Sequence, residues 1–180
     1  MNVCVFCGSA RGRKPVYADV AEKLGRLFAD ASIQLVYGGG NIGLMGIVAD
    51  AVMTHGGAVT GVIPSFLLER EVGHRGITHL EVVESMHQRK QRMADLADAF
   101  VALPGGWGTL EELCEILTWK QLRLISQPVV LLNSHHFFDP LLDQMRLMVN
   151  DGFLSADTFS LLRVEDTPEG VLSFLTTGRS

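Results

Sequence analysis

Short apolar runs alternate with stretches of helical periodicity along the whole chain. The runs are four to six residues long and predict buried strands over Val3–Phe6, Gln34–Tyr37, Ala58–Ile63, His79–Val83, Ala99–Leu103 and Pro128–Leu132. Between them, apolar residues recur every three or four positions, as they do on one face of a helix. This spacing predicts helices from Val16 to Phe28, over Met45 to Met53, and over Met86–Ala97, Thr109–Leu122, Pro140–Asn150, Ala156–Leu161 and Pro168–Thr176.

Strands that alternate with helices predict an α/β fold, in which a mostly parallel sheet is covered by helices on both faces. The 180 residues contain no linker or repeat, and we expect a single domain over residues 1–180. Ligands of such sheets bind beyond the carboxyl ends of the strands, where the strand order reverses. The loops of interest are therefore Cys7–Lys14, Gly38–Gly43, Pro64–Thr78, Glu84–Ser85 and Pro104–Gly108.

Composition and charge narrow the class of protein. Hydrophobic residues make up 47% of the chain and charged residues 19%, which excludes a disordered tail. No apolar run approaches the ~20 residues that span a bilayer, and the N-terminus lacks the pattern of a signal peptide, so we expect a cytoplasmic protein. The net charge is −5 and the basic residues are scattered. Binding to a nucleic-acid polymer is therefore not expected.

The cysteines and histidines do not have the spacing of a metal or disulfide site. Cys4 and Cys7 form a Cys-x-x-Cys pair, but Cys4 lies in a strand-like run and no second pair exists. We interpret both as buried thiols, and Cys114, which lies between Leu113 and Ile116, as a core residue. The six histidines show no His-Glu-x-x-His motif. We expect neither a bound metal nor another cofactor.

The loop Gly38–Gly43 formally matches the Gly-x-Gly-x-x-Gly motif of dinucleotide-binding proteins. It follows the second predicted strand instead of the first, however, and the next strand ends at Ile63 without the acidic residue that binds the ribose. Both differences disfavour NAD binding. Two interpretations of the loop stay open, namely a close approach of its backbone to a ligand and a tight packing turn.

The segment Pro104–Glu112 carries the most specific signal. Three glycines in four residues leave backbone N–H groups unobstructed ahead of a helix that we expect to begin near Thr109. Such a loop and helix N-terminus together form a phosphate cradle. Glu112 is predicted in the first helical turn, where the helix dipole favours an ionised carboxylate. At least one of Glu111 and Glu112 is interpreted as an ordinary acid at a helix start.

The segment Glu84–Lys90 opens another predicted helix, with Ser85 as its N-cap. Arg89 and Lys90 are adjacent, so they point about 100° apart and at most one of them aims straight into a given site. The alternative is a solvated basic face that continues to Arg92. The residues alone do not separate these two interpretations.

Together these segments resemble the LOG ("Lonely guy") family of cytokinin riboside 5'-monophosphate phosphoribohydrolases, which are often mislabelled as lysine decarboxylases. The resemblance covers nearly the whole chain and is carried by Val5–Ser9, Val36–Gly40, Gly61–Pro64, Met86–Lys90 and Pro104–Glu112. The signature Pro-Gly-Gly-x-Gly-Thr-x-x-Glu with an upstream Arg-Lys shows no departure, and Trp107 occupies its variable position.

The resemblance implies a Rossmann-like fold of three layers, a homodimer, and hydrolysis of the N-glycosidic bond of an N6-modified adenosine 5'-monophosphate. The products would be the free base and ribose 5-phosphate. It also implies that Arg89 and Glu112 are catalytic. The substrate contacts that it implies are Glu71, Arg89, Lys90, Gly106, Trp107, Gly108, Thr109, Leu110, Glu111, Glu112 and Thr118.

Two other functions compete with this hydrolase. A non-catalytic carrier of a nucleotide or of the molybdenum cofactor would share the glycine-rich fold, although the presence of both Arg89 and Glu112 favours the enzyme. A lysine decarboxylase would need pyridoxal phosphate on a lysine. Of the four lysines in the chain, only Lys90 is predicted near the site.

Overall fold

The computed structural model describes residues 1–68 and 72–177, in which strands and helices alternate. The strands are β1 Asn2–Phe6, β2 Gln34–Tyr37, β3 Val59–Pro64, β4 His79–Val83, β5 Ala99–Ala102, β6 Val129–Leu132 and β7 Leu162–Glu165. The helices are α1 Val16–Asp30, α2 Gly43–Thr54, α3 Met86–Leu96, α4 Trp107–Gln121, α5 Asp139–Asn150, α6 Ala156–Phe159 and α7 Pro168–Thr177.

The strands form one parallel sheet in the order β4-β3-β2-β1-β5-β6-β7. The chain builds outward from β1 to β4 on one side and then returns to place β5, β6 and β7 on the other. The strand order therefore reverses between β1 and β5, and ligands are expected beyond their carboxyl ends. There the Gly8 N–H donates a hydrogen bond to the Pro104 carbonyl at 3.1 Å, which joins the two loops.

Two apolar layers flank the sheet, because successive side chains of a strand point to opposite faces. Val3 and Val5 of β1 pack in the layer that contains α1, α2 and α7, together with Phe28. Phe6 and Phe100 pack in the opposite layer, which contains α3, α4 and α5. Both faces of the sheet are thus covered by helices, and the predicted α/β architecture of three layers is confirmed.

Cys4 and Cys7 are both buried, as predicted. They lie three positions apart, so they belong to opposite faces of the sheet and to different apolar layers. The Cys-x-x-Cys spacing therefore does not bring the two thiols together. The prediction for Cys114 is wrong, because this residue is exposed on α4. The buried positions of α4 include Leu113, and Cys114 points about 100° away from it.

Neither a spanning helix nor a metal cluster is found in the part of the chain that the structure describes. Its helices are all too short or too polar to cross a membrane. Within the same residues, His, Cys, Asp and Glu side chains form no group of three or more that could bind a metal ion.

The sequence pattern missed one strand and placed the starts of α2 and α4 two residues too late. β7 pairs in parallel with β6 at the edge of the sheet. Its residues alternate between buried Leu162 and exposed Arg163, so it lacks the continuous apolar run of the inner strands. Helix α4 begins at Trp107, two residues before the predicted start. Glu112 therefore lies in the second turn of α4 and not in the first.

Candidate active site

A polar cavity of about 160 Å³ opens at the carboxyl ends of β1, β2 and β5. It lies where the strand order reverses, which is the position expected for a ligand. The loop after β1, Gly38, the start of α4 and one side chain from α3 form its walls. The predicted site residues that line it are Arg89, Gly106, Trp107, Gly108, Thr109 and Glu112.

A second pocket of about 300 Å³ adjoins this cavity and shares Gly8, Ser9 and Gly106 with it. Its lining is mostly apolar and includes Tyr17 and Phe137. Together the two spaces fall within the roughly 300–1,000 Å³ typical of small-molecule sites. The site therefore has a polar part and an apolar part that meet at the loop after β1 and at Gly106.

The start of α4 presents backbone N–H groups to the cavity. The Leu110 N–H donates to the Gly106 carbonyl at 3.1 Å, so the N–H groups of residues 107–109 precede the first helical hydrogen bond. A Cβ atom added at Gly106 or Gly108 would meet nothing within 4 Å, whereas one added at Gly105 would clash with the Thr109 side chain. Gly105 is needed for packing, whereas Gly106 and Gly108 line the cavity and border open space.

Arg89 is buried, with 5% of its surface exposed. Its Nη2 donates a hydrogen bond to the Gly38 carbonyl at 2.8 Å. A side chain at Gly38 would overlap the guanidinium, so this glycine makes room for Arg89. Arg89 therefore does not belong to a solvated basic face. Arg92 does, and it forms an ion pair with Glu81 at 2.7 Å in solvent.

The six-residue glycine loop packs closely against the rest of the protein at two of its glycines. Gly38 allows the close approach of Arg89, whereas Gly43 has a positive φ of 65° and packs against the Ser9 backbone. The loop is also tied to the segment after β3, because the His74 N–H donates to the Gly39 carbonyl at 2.9 Å. The contacts of Gly38 and Gly43 are both packing contacts within the protein, and a close approach of the loop backbone to a ligand stays a prediction.

The His74 ring holds the segment after β3 in place through two hydrogen bonds. Its Nδ1 accepts a hydrogen bond from the Gly76 N–H at 3.3 Å, so Nε2 carries the proton and donates to Asp50 Oδ1 at 2.9 Å. The loops after β2 and β3 are therefore joined to each other and to α2. Glu71, which the family resemblance implies as a substrate contact, lies outside the described residues.

Glu112 lines the same cavity as Arg89. The argument that the helix dipole keeps it ionised is wrong, because that effect is confined to the first turn and α4 begins five residues earlier, at Trp107. The side chains of Glu112 and Arg89 both influence the pKa of the buried Cys4 thiol. Burial raises the pKa of Cys4 well above its ordinary value, Glu112 raises it further, and Arg89 lowers it. Glu112 and Arg89 therefore both lie within electrostatic range of Cys4 in β1.

Lys90 points away from the cavity, as expected for the neighbour of Arg89 on a helix. Its Nζ donates hydrogen bonds to Glu111 Oε1 at 2.5 Å and to Glu115 Oε1 at 3.0 Å. Burial alone would lower the pKa of Lys90, but the two carboxylates outweigh it and raise this pKa. Lys90 and Glu111 therefore contact each other, and neither lines the cavity.

Two further residues that the resemblance implies as contacts lie elsewhere. Leu110 packs against the apolar layer beneath α4. The Thr118 hydroxyl donates to the Cys114 carbonyl at 2.7 Å, and the side chain borders an apolar groove between α4 and α5. Neither residue lines the polar cavity within one copy of the chain.

Several cavity residues were not singled out by sequence reasoning. Cys7, Ser9, Gly38 and Met45 all line the cavity. The rule for open parallel sheets had marked the loops after β1 and β2 as of interest, but it does not select residues within them. The function of Gly38 in particular follows only from where the Arg89 guanidinium lies.

The fold and the cavity define a Rossmann-type α/β protein with a candidate active site where the strand order reverses. Residues 45–175 match the family model described as "Possible lysine decarboxylase". Over 156 residues the chain is 51% identical to "Cytokinin riboside 5'-monophosphate phosphoribohydrolase LOG" of Oryza sativa subsp. japonica, covering 87% of this chain and 64% of that protein. Over 173 residues it is 47% identical to the "Cytokinin riboside 5'-monophosphate phosphoribohydrolase" of Rhodococcoides fascians, covering 96% and 87%.

The chain therefore belongs to the LOG family, as its motifs predicted. It spans just under two thirds of the length of the rice relative and most of the Rhodococcoides fascians relative.

Solved structures of low sequence identity share the fold. The molybdenum cofactor binding protein of Rippkaea orientalis is 22% identical and superimposes with a TM-score of 0.73 over 99% of this chain and 96% of that chain. The molybdenum cofactor carrier protein of Chlamydomonas reinhardtii is 21% identical, with a TM-score of 0.72 over 97% and 94%. At this identity the likeness establishes the three-layer fold alone, in agreement with the sequence prediction.

Proposed function

We propose that the protein hydrolyses the N-glycosidic bond of adenosine 5'-monophosphate or an N6-modified derivative, such as a cytokinin riboside 5'-monophosphate. The products are the free base and ribose 5-phosphate. The observation that carries this proposal is the meeting of Arg89 and Glu112 in one cavity with the N-terminal end of α4. Relatives at 44–51% identity are named for the same reaction. We infer that residues 1–180 act as one cytoplasmic domain without a cofactor.

The phosphate binds at the N-terminal end of α4 in this proposal. Backbone N–H groups of residues 107–109 point out of the helix, and its dipole favours an anion there. The phosphate then fixes the ribose, because a short covalent link joins the two groups. Binding energy from the non-reacting phosphate thus holds C1' close to the charged side chains, which removes part of the entropic barrier.

Glu112 and Arg89 act on the ribose and the departing base. When the C1'–N9 bond breaks, its electron pair leaves with N9 and positive charge develops on the ribose. The Glu112 carboxylate stabilises that charge or orients the water whose oxygen bonds to C1'. The proton lost by the water balances the one that the departing base takes up. Arg89, held by its bond to the Gly38 carbonyl, supplies a fixed positive charge for the phosphate, ribose oxygens or leaving base.

Trp107 is expected to stack on the purine. Trp107 lines the cavity and is 90% exposed, so the protein itself does not cover its indole ring. Stacking of a base on an aromatic side chain contributes ~1–3 kcal/mol, so Trp107→Leu should raise KM for AMP by about tenfold and leave kcat within about threefold. Trp107→Phe should retain most of the affinity. Equal KM values for all three proteins in steady-state assays would exclude stacking.

The decarboxylase alternative does not fit the lysine beside the site. A lysine that forms a Schiff base with pyridoxal phosphate is activated by a lowered pKa. The pKa of Lys90 is instead raised by Glu111 and Glu115, which occupy its ammonium group. Lys90 is therefore a poor attachment point for that cofactor.

Incubation with AMP and with N6-isopentenyl-AMP distinguishes the hydrolase from a carrier. Chromatography of the mixture should reveal free adenine and free isopentenyladenine in amounts that exceed the protein many times over. A carrier would retain its ligand intact and in a fixed ratio to the protein. The absence of any base release from both nucleotides would favour the carrier.

We further propose that the protein is a homodimer. A groove of about 830 Å³ that includes Trp119 and Leu124 lies at the far end of α3 and α4 from the cavity. Leu122 and Leu124 expose 61% and 67% of their surface. Large apolar side chains exposed beside a groove fit an interface, and in most homo-oligomers two copies meet about a two-fold axis.

Light scattering at micromolar concentration should therefore give the mass of a dimer. Leu124→Glu places a charge in the proposed interface and should shift the mass toward the monomer. Phe153→Glu is the matched control, because Phe153 is 84% exposed and lies outside the groove. A wild-type protein with the mass of a monomer would contradict the dimer.

A further inference from the structure

A partly buried lysine joins α3 to α4 beside the candidate active site. The Lys90 side chain is 11% exposed, and its Nζ contacts two carboxylates that lie one helical turn apart on α4. We name the contacts of Lys90 with Glu111 and Glu115 the Lys90 bridge. Neither the sequence motifs nor the family resemblance assigns a function to Glu115.

We propose that Glu115 is a positioning residue, which acts with Glu111 through Lys90 to hold α3 and α4 in the register that brings Arg89 and Glu112 into one cavity. The proposal rests on the hydrolase function proposed above.

The order of residues on the two helices carries this inference. Arg89 precedes Lys90 on α3, and Glu111 precedes Glu112 on α4, so each helix presents one charge to the cavity and the adjacent charge to the bridge. Adjacent helical residues diverge by about 100°, and a sliding or rotation of either helix would move both members of each pair together. The geometry of the bridge therefore fixes the geometry of the catalytic pair.

Two acceptors on one ammonium make the bridge tolerant of a single loss. With Glu111 or Glu115 alone, the partly buried Lys90 still has a carboxylate partner. Without both, its ammonium would lose both counter-charges, which is unfavourable in a partly buried place, and we expect α3 to shift and expose it. We therefore expect a non-additive effect, small for each single substitution and large for the pair.

The experiment compares kcat and KM for AMP in Glu111→Gln, Glu115→Gln, the double variant, Lys90→Met, and the triple variant. Each single glutamate substitution should lower kcat by no more than about threefold, whereas the double variant should lower it about 10²-fold, the scale of a misplacement of about 1 Å. Lys90→Met should match the double variant, and the triple variant should be no worse than either. KM should stay within about threefold throughout.

Two controls accompany these variants. Lys90→Arg keeps a cation that can contact two carboxylates, so it should retain most of the activity that Lys90→Met loses. Glu81→Gln breaks the exposed pair with Arg92 on another face of α3 and should leave kcat unchanged. Hydrogen exchange at the α3 amides, measured on the same proteins, should be faster in the double variant than in wild type and does not depend on turnover.

Three results would overturn the proposal. If Lys90→Met raised KM tenfold or more while the double variant did not, Lys90 would contact the substrate. If the double variant had a lower Tm but showed the wild-type kcat at assay temperatures well below that Tm, the bridge would serve stability only. Unchanged hydrogen exchange at the α3 amides of the double variant would exclude the bridge itself, and this measurement does not depend on activity. If the wild-type protein released no base from AMP, the proposed function would be refuted instead.

Discussion

Glu112→Gln should lower kcat for base release from AMP by about 10²–10³-fold, the usual loss on removing one preorganised electrostatic group. Glutamine keeps the volume and most hydrogen bonds of glutamate but carries no charge. Because positive charge develops on the ribose only in the transition state, the loss should fall on kcat, with KM unchanged or slightly lower. Steady-state kinetics with AMP, on protein shown to be folded by circular dichroism, measures both parameters.

Glu111→Gln is the matched comparison for this substitution, since it makes the same chemical change at the adjacent residue. Its effect should be far smaller, because Glu111 contacts Lys90 outside the cavity and Lys90 retains Glu115. A large loss of kcat in Glu111→Gln with little loss in Glu112→Gln would mean that the wrong carboxylate has been assigned. No loss in either variant would exclude a carboxylate mechanism.

Gly106→Val and Gly108→Val should abolish measurable AMP binding, an expected loss of at least about 10²-fold in affinity, while the domain stays folded. A Cβ at either position meets no protein atom within 4 Å, so the valine side chain would occupy the cavity instead of disturbing the core. It would crowd the N–H groups of residues 107–109 that are proposed to bind the phosphate. Calorimetric titration with AMP measures the affinity.

Gly105→Ala provides the opposite case within the same loop. Its Cβ would clash with the Thr109 side chain and approach the Gly8 backbone, so this variant should lose thermal stability. The three variants together separate the glycine that is needed for packing from the two that are needed for the ligand. If Gly108→Val were folded and bound AMP as tightly as wild type, the phosphate would not bind at the start of α4.

Much of the fold could be predicted because most strands are buried on both faces. Such strands form continuous apolar runs, as in β1 and β6, and these runs are visible in the sequence. The edge strand β7 has one exposed face and no such run, so the pattern could not reveal it. The start of α4 was misplaced for a related reason, because the helix opens on Trp107 and Gly108, neither of which contributes to a buried stripe.

The candidate site was predicted less completely, because its geometry depends on contacts between distant residues. Motifs identified Arg89 and Glu112, and the structure brings both to one cavity. The partners of Lys90 lie 21 and 25 residues away on another helix, and nothing in the local sequence indicates them. The space that Gly38 leaves for Arg89 joins residues 51 positions apart. Only the packing of the helices on the sheet reveals such relations.

The most direct measurement is the simultaneous quantification of adenine and ribose 5-phosphate during incubation of the wild-type protein with AMP, with Glu112→Gln treated in parallel. Hydrolysis in the Arg89 and Glu112 cavity predicts that both products appear in equal amounts over many turnovers, and that Glu112→Gln forms them at least about 10²-fold more slowly. If AMP and N6-substituted AMP stayed intact with the wild-type protein, or if Glu112→Gln released base at the wild-type rate, the assigned reaction and site would be contradicted.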